Sequence, residues 1–239
     1  MLEQIDLTKI LVLDIETVPQ FAAYEQLPER WKDLWEKKAT TIRKVSVQTT
    51  EELYPRSGIY AEFGKIVCIS VGYFVKGDSY QFRVKSFYSH NEGELLTNFC
   101  KMLTRHFNEL DNLLCAHNGK EFDFPYISRR CVANKIKLPE SIRTEGKKPW
   151  EIRHLDTMEL WKFGDYKSYT SLDLLAALFN IETPKDDIDG SQVWKVYWQE
   201  NNLERIKNYC QKDVVTVAQI LLSFRGENLL KPADILMVD

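Results

Sequence analysis

Residues 10–15, Ile-Leu-Val-Leu-Asp-Ile, constrain the fold of this 239-residue chain more than any other stretch. The run is short, apolar and β-branched, and it reads as a buried strand. Its carboxyl end is anomalous. Asp14 and Glu16 stand two residues apart, so strand alternation turns both carboxylates to the same face of the sheet the run joins. A core strand has no structural use for such a pair, although a strand end passing into a loop would tolerate one.

The rest of the chain supplies partners for that strand. Two further apolar runs, 66–74 and 80–87, flank Lys76, Gly77 and Asp78 and predict a hairpin. Ser89 with Glu92 predicts a capping box, after which Leu95, Leu96, Phe99, Met102, Leu103 and Phe107 recur at helical spacing. A short strand at 113–116, a helix opening near Pro125 and a fifth strand over 154–158 follow. Beyond residue 160 the pattern is helical. Leu203, Ile206, Cys210, Val214, Val217 and Leu221 form one stripe along the last helix. The expectation is an α/β fold, a mixed five-stranded sheet flanked by helices.

With 44% hydrophobic residues a sizeable core is available, and 10 Gly and 8 Pro leave no room for a long linker. Residues 1–239 are therefore expected to form a single domain. Within it, 17–63 is an inserted segment where a hairpin would need only a few residues. Leu27, Trp31, Leu34 and Trp35 predict an amphipathic helix there. A lid over a site and a helix docked on the core are both compatible with it; docking is the expectation, since aromatic stripes at helical spacing are usually packing. The five cysteines, at 68, 100, 115, 131 and 210, lack the paired spacing of a disulfide framework or a zinc site and are expected to be reduced and buried. No export signal or membrane-spanning run is apparent, so a cytoplasmic protein is expected. His90, His106, His117 and His154 have no metal spacing, and His106 and His117 are expected to be structural.

More acids join the first pair. Asp123 lies just before the Pro125 helix, and Tyr209 and Asp213, four residues apart, share a face of the last helix. Each has an ordinary reading alone, as a helix-start acid or an amphipathic edge. Together, four carboxylates on one side of a sheet would repel unless cations neutralise them. All-oxygen ligands select hard ions such as Mg²⁺ or Mn²⁺. A pair of such ions suits in-line attack of water on a phosphodiester.

Asp14-Ile15-Glu16-Thr17, Asn118 through Phe122-Asp123, and Tyr209-Cys210-Gln211-Lys212-Asp213 resemble the three exonuclease motifs of the DEDD superfamily in its tyrosine-bearing branch (DEDDy). In order and spacing they are most similar to stand-alone bacterial relatives of the proofreading exonuclease domain of family B DNA polymerases. The resemblance runs from about residue 8 to 224, with Glu62-Phe63-Gly64-Lys65 and the stretch from Lys185 to Gly190-Ser191 included. The histidine-bearing branch would place His five residues before the last Asp, where this chain has Asn208.

The resemblance implies a ribonuclease H-like fold and 3'-to-5' exonuclease activity that releases nucleoside 5'-monophosphates from single-stranded DNA with two divalent ions, Mg²⁺ or Mn²⁺. It implies that Asp14 bridges both ions, that Glu16 and Asp213 hold the one that activates water, and that Asp123 serves the other. Tyr209 would orient the water, and Asn118 and Phe122 would touch the terminal nucleotide. The alternatives are an exoribonuclease resembling ribonuclease D and a non-catalytic nucleic-acid-binding domain of the same fold. No polymerase domain is expected to act in cis.

The formal charge of −3 argues against a protein that coats nucleic acid nonspecifically. Between residues 129 and 154, however, eight basic and three acidic residues leave a local +5. That segment, with Lys147 and Lys148, is the candidate phosphate-binding surface; a solvated helix and loop is its ordinary alternative. Lys167 and Lys185 are further candidates.

Overall fold

The computed structural model describes residues 2–42, 48–78, 80–165, 167–182 and 188–238; Lys185 lies outside them. In chain order the elements are β1 Ile10–Pro19, α1 Glu29–Ile42, α2 Thr50–Leu53, β2 Gly64–Lys76, β3 Tyr80–Tyr88, α3 Glu92–His106, β4 Leu113–Ala116, α4 Asp123–Ala133, β5 Leu155–Asp156, α5 Thr157–Lys162, α6 Leu172–Leu178, α7 Val193–Trp198, α8 Leu203–Phe224 and β6 Ile235–Met237. The strands lie in the order β5-β4-β1-β2-β3-β6. β1, β2 and β3 pair antiparallel, while β4, β5 and β6 add parallel.

Among the described residues the sheet has six strands, not five. The sixth is three residues near the carboxyl end, too short to carry an alternation signal, and it pairs Ile235 with Phe82 at the sheet edge. The fifth strand is cut to Leu155–Asp156, because the Asp156 carboxylate caps α5 and turns the chain into a helix. The cap of α3 also differs from the expected Ser89–Glu92 box. Asn91 caps α3, and Glu92 turns inward.

Alternation along β1 divides the core. Leu11, Leu13 and Ile15 pack with Ile69, Leu96 and Phe99 on the α3 and α4 side. Ile10 and Val12 pack with Val214, Val217 and Leu221 of α8 on the other. Asp14 and Glu16 therefore share the face covered by α8. The β1–β2 register shifts between Glu16 and Thr17, a bulge of the kind that re-aims side chains beside functional sites.

The segment between β1 and β2 makes its own small core. Trp35 is fully buried against Tyr54 and Phe63, and its indole N–H donates to the Thr50 carbonyl at 3.0 Å. α1 thus docks within this segment through Trp35, while Leu34 of the same helix stays exposed. The return path through the 3-10 turn Tyr54–Ile59 is pressed against the end of β1, where a Cβ on Gly58 would meet the Val18 and Pro19 backbone at 3.0–3.1 Å. A Cβ on Gly64 would sit 2.2 Å from the Tyr126 hydroxyl and 2.5 Å from the Gly58 carbonyl, so only glycine permits that approach.

A buried ion pair ties this segment to the helical layer. Arg130 donates to both Glu92 oxygens, at 2.9 and 2.6 Å, and to the Ala61 carbonyl at 2.8 Å. All five cysteines are free and buried. His117 and His154 each bind two structural partners, whereas His106 is exposed at the end of α3. No helix among the described residues is long and apolar enough to cross a membrane.

Candidate active site

α8 crosses the carboxyl half of β1, and its four-residue periodicity brings Tyr209 and Asp213 to the face that carries Asp14 and Glu16. All four line one cleft of about 430 Å³, together with Phe122 and Trp194. Asp14, Glu16 and Cys210 offer ligand atoms within 4.8 Å of one another. Asp123, in the first turn of α4, is buried behind the cleft, and its charge is felt by both Asp14 and Glu16.

Crowding and burial disfavour ionisation of these carboxyls. Burial, then repulsion from Asp213 and Asp123, holds Asp14 well above the ordinary carboxylate range. Glu16 is raised by burial, then by Asp14 and Asp213. Asp123 is pushed up to about 7, chiefly by burial; Asp156 and Asp213 add to the rise, while its own amide at the helix start and that of Ile15 oppose it. Bringing these anions together is unfavourable without a compensating cation, and their oxygens suit a hard one. The donor set therefore fits divalent ions of the Mg²⁺ or Mn²⁺ class.

Two neighbours refine the chemistry. Tyr209 hydrogen-bonds Asp213, and burial plus the surrounding acids hold its phenol far above its ordinary value, so it stays protonated at neutral pH. The Cys210 thiol lies 3.3 Å from Asp14 Oδ2, and burial also pushes it up, making it a hydrogen-bond donor to the carboxylate and not a thiolate ligand.

The 118–122 loop separates this cleft from a second. Asn118 has a left-handed backbone, φ 61°. Asp156 anchors the loop by accepting from the Asn118 and Lys120 amides at 2.9 and 3.0 Å while capping α5 through Met158 and Glu159. Phe122 packs on Tyr126 and faces the acidic cleft, but Asn118 lines the neighbouring cleft with Lys147. Phe122 and Asn118, both expected at the terminal nucleotide, thus line two adjoining clefts. Lys148 lies over the Trp150 ring at 5.3 Å. Lys167 is exposed in the loop after α5, its amide held by Asp165.

Asp156 and the wall formed by Pro55, Arg56 and Ile59 are the parts sequence reasoning missed. Asp156 had a faint signal, an acid three residues before Glu159 at a strand-to-helix junction. The wall had none, because its place depends on how the inserted segment folds back. Arg56 is the one cation lining the acidic cleft among the described residues.

A family model described as "Predicted 3'-5' exonuclease related to the exonuclease domain of PolB" matches residues 59–227. That stretch contains Asn118, Phe122, Asp123, Tyr209 and Asp213; β1, with Asp14 and Glu16, precedes it. Among solved structures, the family B DNA polymerase from the hyperthermophilic archaeon Pyrobaculum calidifontis is similar with a TM-score of 0.50 and 17% sequence identity. The match covers 90% of this chain and 24% of that one. The likeness is one of fold, and the fold is ribonuclease H-like.

Proposed function

Since the chain belongs to the family of predicted 3'-5' exonucleases related to the exonuclease domain of PolB, we propose that it hydrolyses single-stranded DNA from the 3' end, releasing nucleoside 5'-monophosphates. The observation that carries this reading is that Asp14, Glu16, Tyr209 and Asp213, from β1 and α8, line one cleft, with Asp123 of α4 buried behind it and close enough for its charge to act on Asp14.

Two divalent ions, Mg²⁺ or Mn²⁺, would supply Lewis-acid activation of water and stabilise the departing 3' oxygen. Asp14, which feels the charges of both Asp213 and Asp123, is the residue suited to serve both ions. Glu16 and Asp213 form one side of the set and Asp123 the other. Tyr209 donates its phenolic proton in a hydrogen bond, so its part is to orient the attacking water; a phenol held above its ordinary value is a poor base at neutral pH. Phe122 and Trp194 offer apolar faces to the terminal base, and Arg56, which also lines the cleft, would meet the anionic backbone. Lys147, Lys148 and Lys167 neutralise phosphates farther along the strand.

Asp14→Ala and Asp213→Ala test the reading. Each is expected to abolish Mg²⁺- or Mn²⁺-dependent release of mononucleotides from labelled single strands, with duplex DNA and RNA run in parallel. Activity at the parent level in either variant would exclude the assignment, and faster RNA hydrolysis would reassign the substrate.

A further inference from the structure

Beyond the 118–122 loop lies a second cleft of about 550 Å³, lined in part by Asn118, Lys120, Lys147 and Lys162. It adjoins the acidic cleft directly, since Glu121 lines the one and its chain neighbour Phe122 the other. Three aromatic side chains stand out of the surface around it. Trp150 is 77% exposed, Phe163 89% and Tyr169 66%. Trp150 follows the lining residue Pro149, and Phe163 sits between the lining residues Lys162 and Gly164.

Neither their exposure nor their charge setting is that of stray surface residues. Phe163 adopts a left-handed backbone, φ 42°, a conformation costly for an aromatic residue, and the strained turn holds its ring out with only an edge contact to Trp161. Lys162 Nζ lies 4.3 Å from the Tyr169 ring centre, and Lys148 Nζ 5.3 Å from that of Trp150. Each of these rings thus has an ammonium beside it. The acids of the cleft are largely spent: Glu159 pairs with Lys120 at 2.6 Å, and Asp156 is taken up by backbone amides. Of the remaining charged lining residues, Lys147 and Lys162 stand against Glu121 alone.

Resting on the exonuclease reading above, we propose that this cleft and its aromatic rim are the track for a single-stranded nucleic acid upstream of the 3' end held at the carboxylates, with Trp150, Phe163 and Tyr169 stacking on bases while the lysines beside them meet phosphates. Exposed rings, two of them with an ammonium group beside them, suit the bases and phosphates of an unpaired strand. A duplex would keep its bases stacked on each other and out of reach.

The test is binding without turnover. Fluorescence anisotropy in EDTA compares a labelled oligothymidine with an abasic strand of equal length. The parent protein is expected to prefer the base-bearing strand. Trp150→Ala/Phe163→Ala/Tyr169→Ala together are expected to weaken oligothymidine binding by about tenfold or more, with abasic binding unchanged, which also reports that the variant is folded. In Mn²⁺, KM should rise for a long strand but not for a dinucleotide. Unchanged oligothymidine binding, including a case where the substitutions alter only self-association in sedimentation, overturns the track. Failure of the parent protein to hydrolyse any nucleic acid would overturn the exonuclease reading instead, and the binding comparison would still decide the track.

Discussion

Asp123→Asn in the metal-free protein reads out the electrostatic cost of assembling the site. The Asp123 carboxyl sits at about 7, against 3.8 for a free aspartate, because of burial first and the neighbouring acids second. Between those two values the folded protein keeps a proton that the unfolded chain has released. This group therefore contributes a loss of stability as pH rises through that window, and the loss is complete above it. A gap of about 3 pH units corresponds to about 4 kcal/mol at 1.36 kcal/mol per unit, or about 8–16 °C in Tm for a chain of this size. Asparagine keeps an acceptor oxygen for the Ile15 amide and removes the charge. Other groups titrate nearby. His154, held at about 4 by burial, gives the opposite slope below its ordinary value. The difference between variant and parent therefore carries the prediction. Scanning calorimetry in EDTA should show equal Tm values near pH 4 and a variant more stable by that order at pH 8. Saturating Mn²⁺ at pH 8 should then stabilise the parent more than the variant, because the parent alone has the full donor set. A variant no more stable than the parent at pH 8 would refute the electrostatic account.

Tyr209→Phe should lower kcat by at least about tenfold while leaving the Mn²⁺ titration of Tm unchanged; loss of metal-induced stabilisation would make the phenol part of the donor set. Asp156→Ala strips an acceptor from four amides and should destabilise the fold on the order of 3 kcal/mol, with a drop in nuclease activity at temperatures where the protein is still folded. Glu92→Gln leaves Arg130 buried without its charge partner and should cost about 3–5 kcal/mol in urea unfolding, whereas exchanging both residues for apolar ones of similar volume should recover most of it. Neutralising Lys147 and Lys148 should raise KM and flatten its salt dependence.

Several parts of the molecule were legible in the residue order. The two-residue period of β1 set Asp14 and Glu16 on one face, and the four-residue period of α8 set Tyr209 and Asp213 on one face, because these repeats follow from backbone geometry alone. β4, fully buried and four residues long, and α8, with an unbroken stripe, coincide with their expected spans to within a few residues. Where a side chain had two plausible partners, local pattern misled. Glu92 looked like a capping residue beside Ser89, but Arg130, thirty-eight positions away in sequence, claims it. That Phe122 lines the acidic cleft and Asn118 the adjoining one was not legible in their four-residue spacing.

Sequence by itself thus determined which carboxylates are present, their order along the chain and the fold class, since these depend on residue types and short repeats. Tertiary structure alone decided which face of α8 meets which face of β1, how far burial raises the acids, and that the segment before β2 returns to put Arg56 and Ile59 on the cleft wall. It also decided that Asp156 anchors the loop and not a longer strand. The physical reason is common to all of these: desolvation and charge repulsion act through space over a few ångströms, and distance along the chain does not measure them.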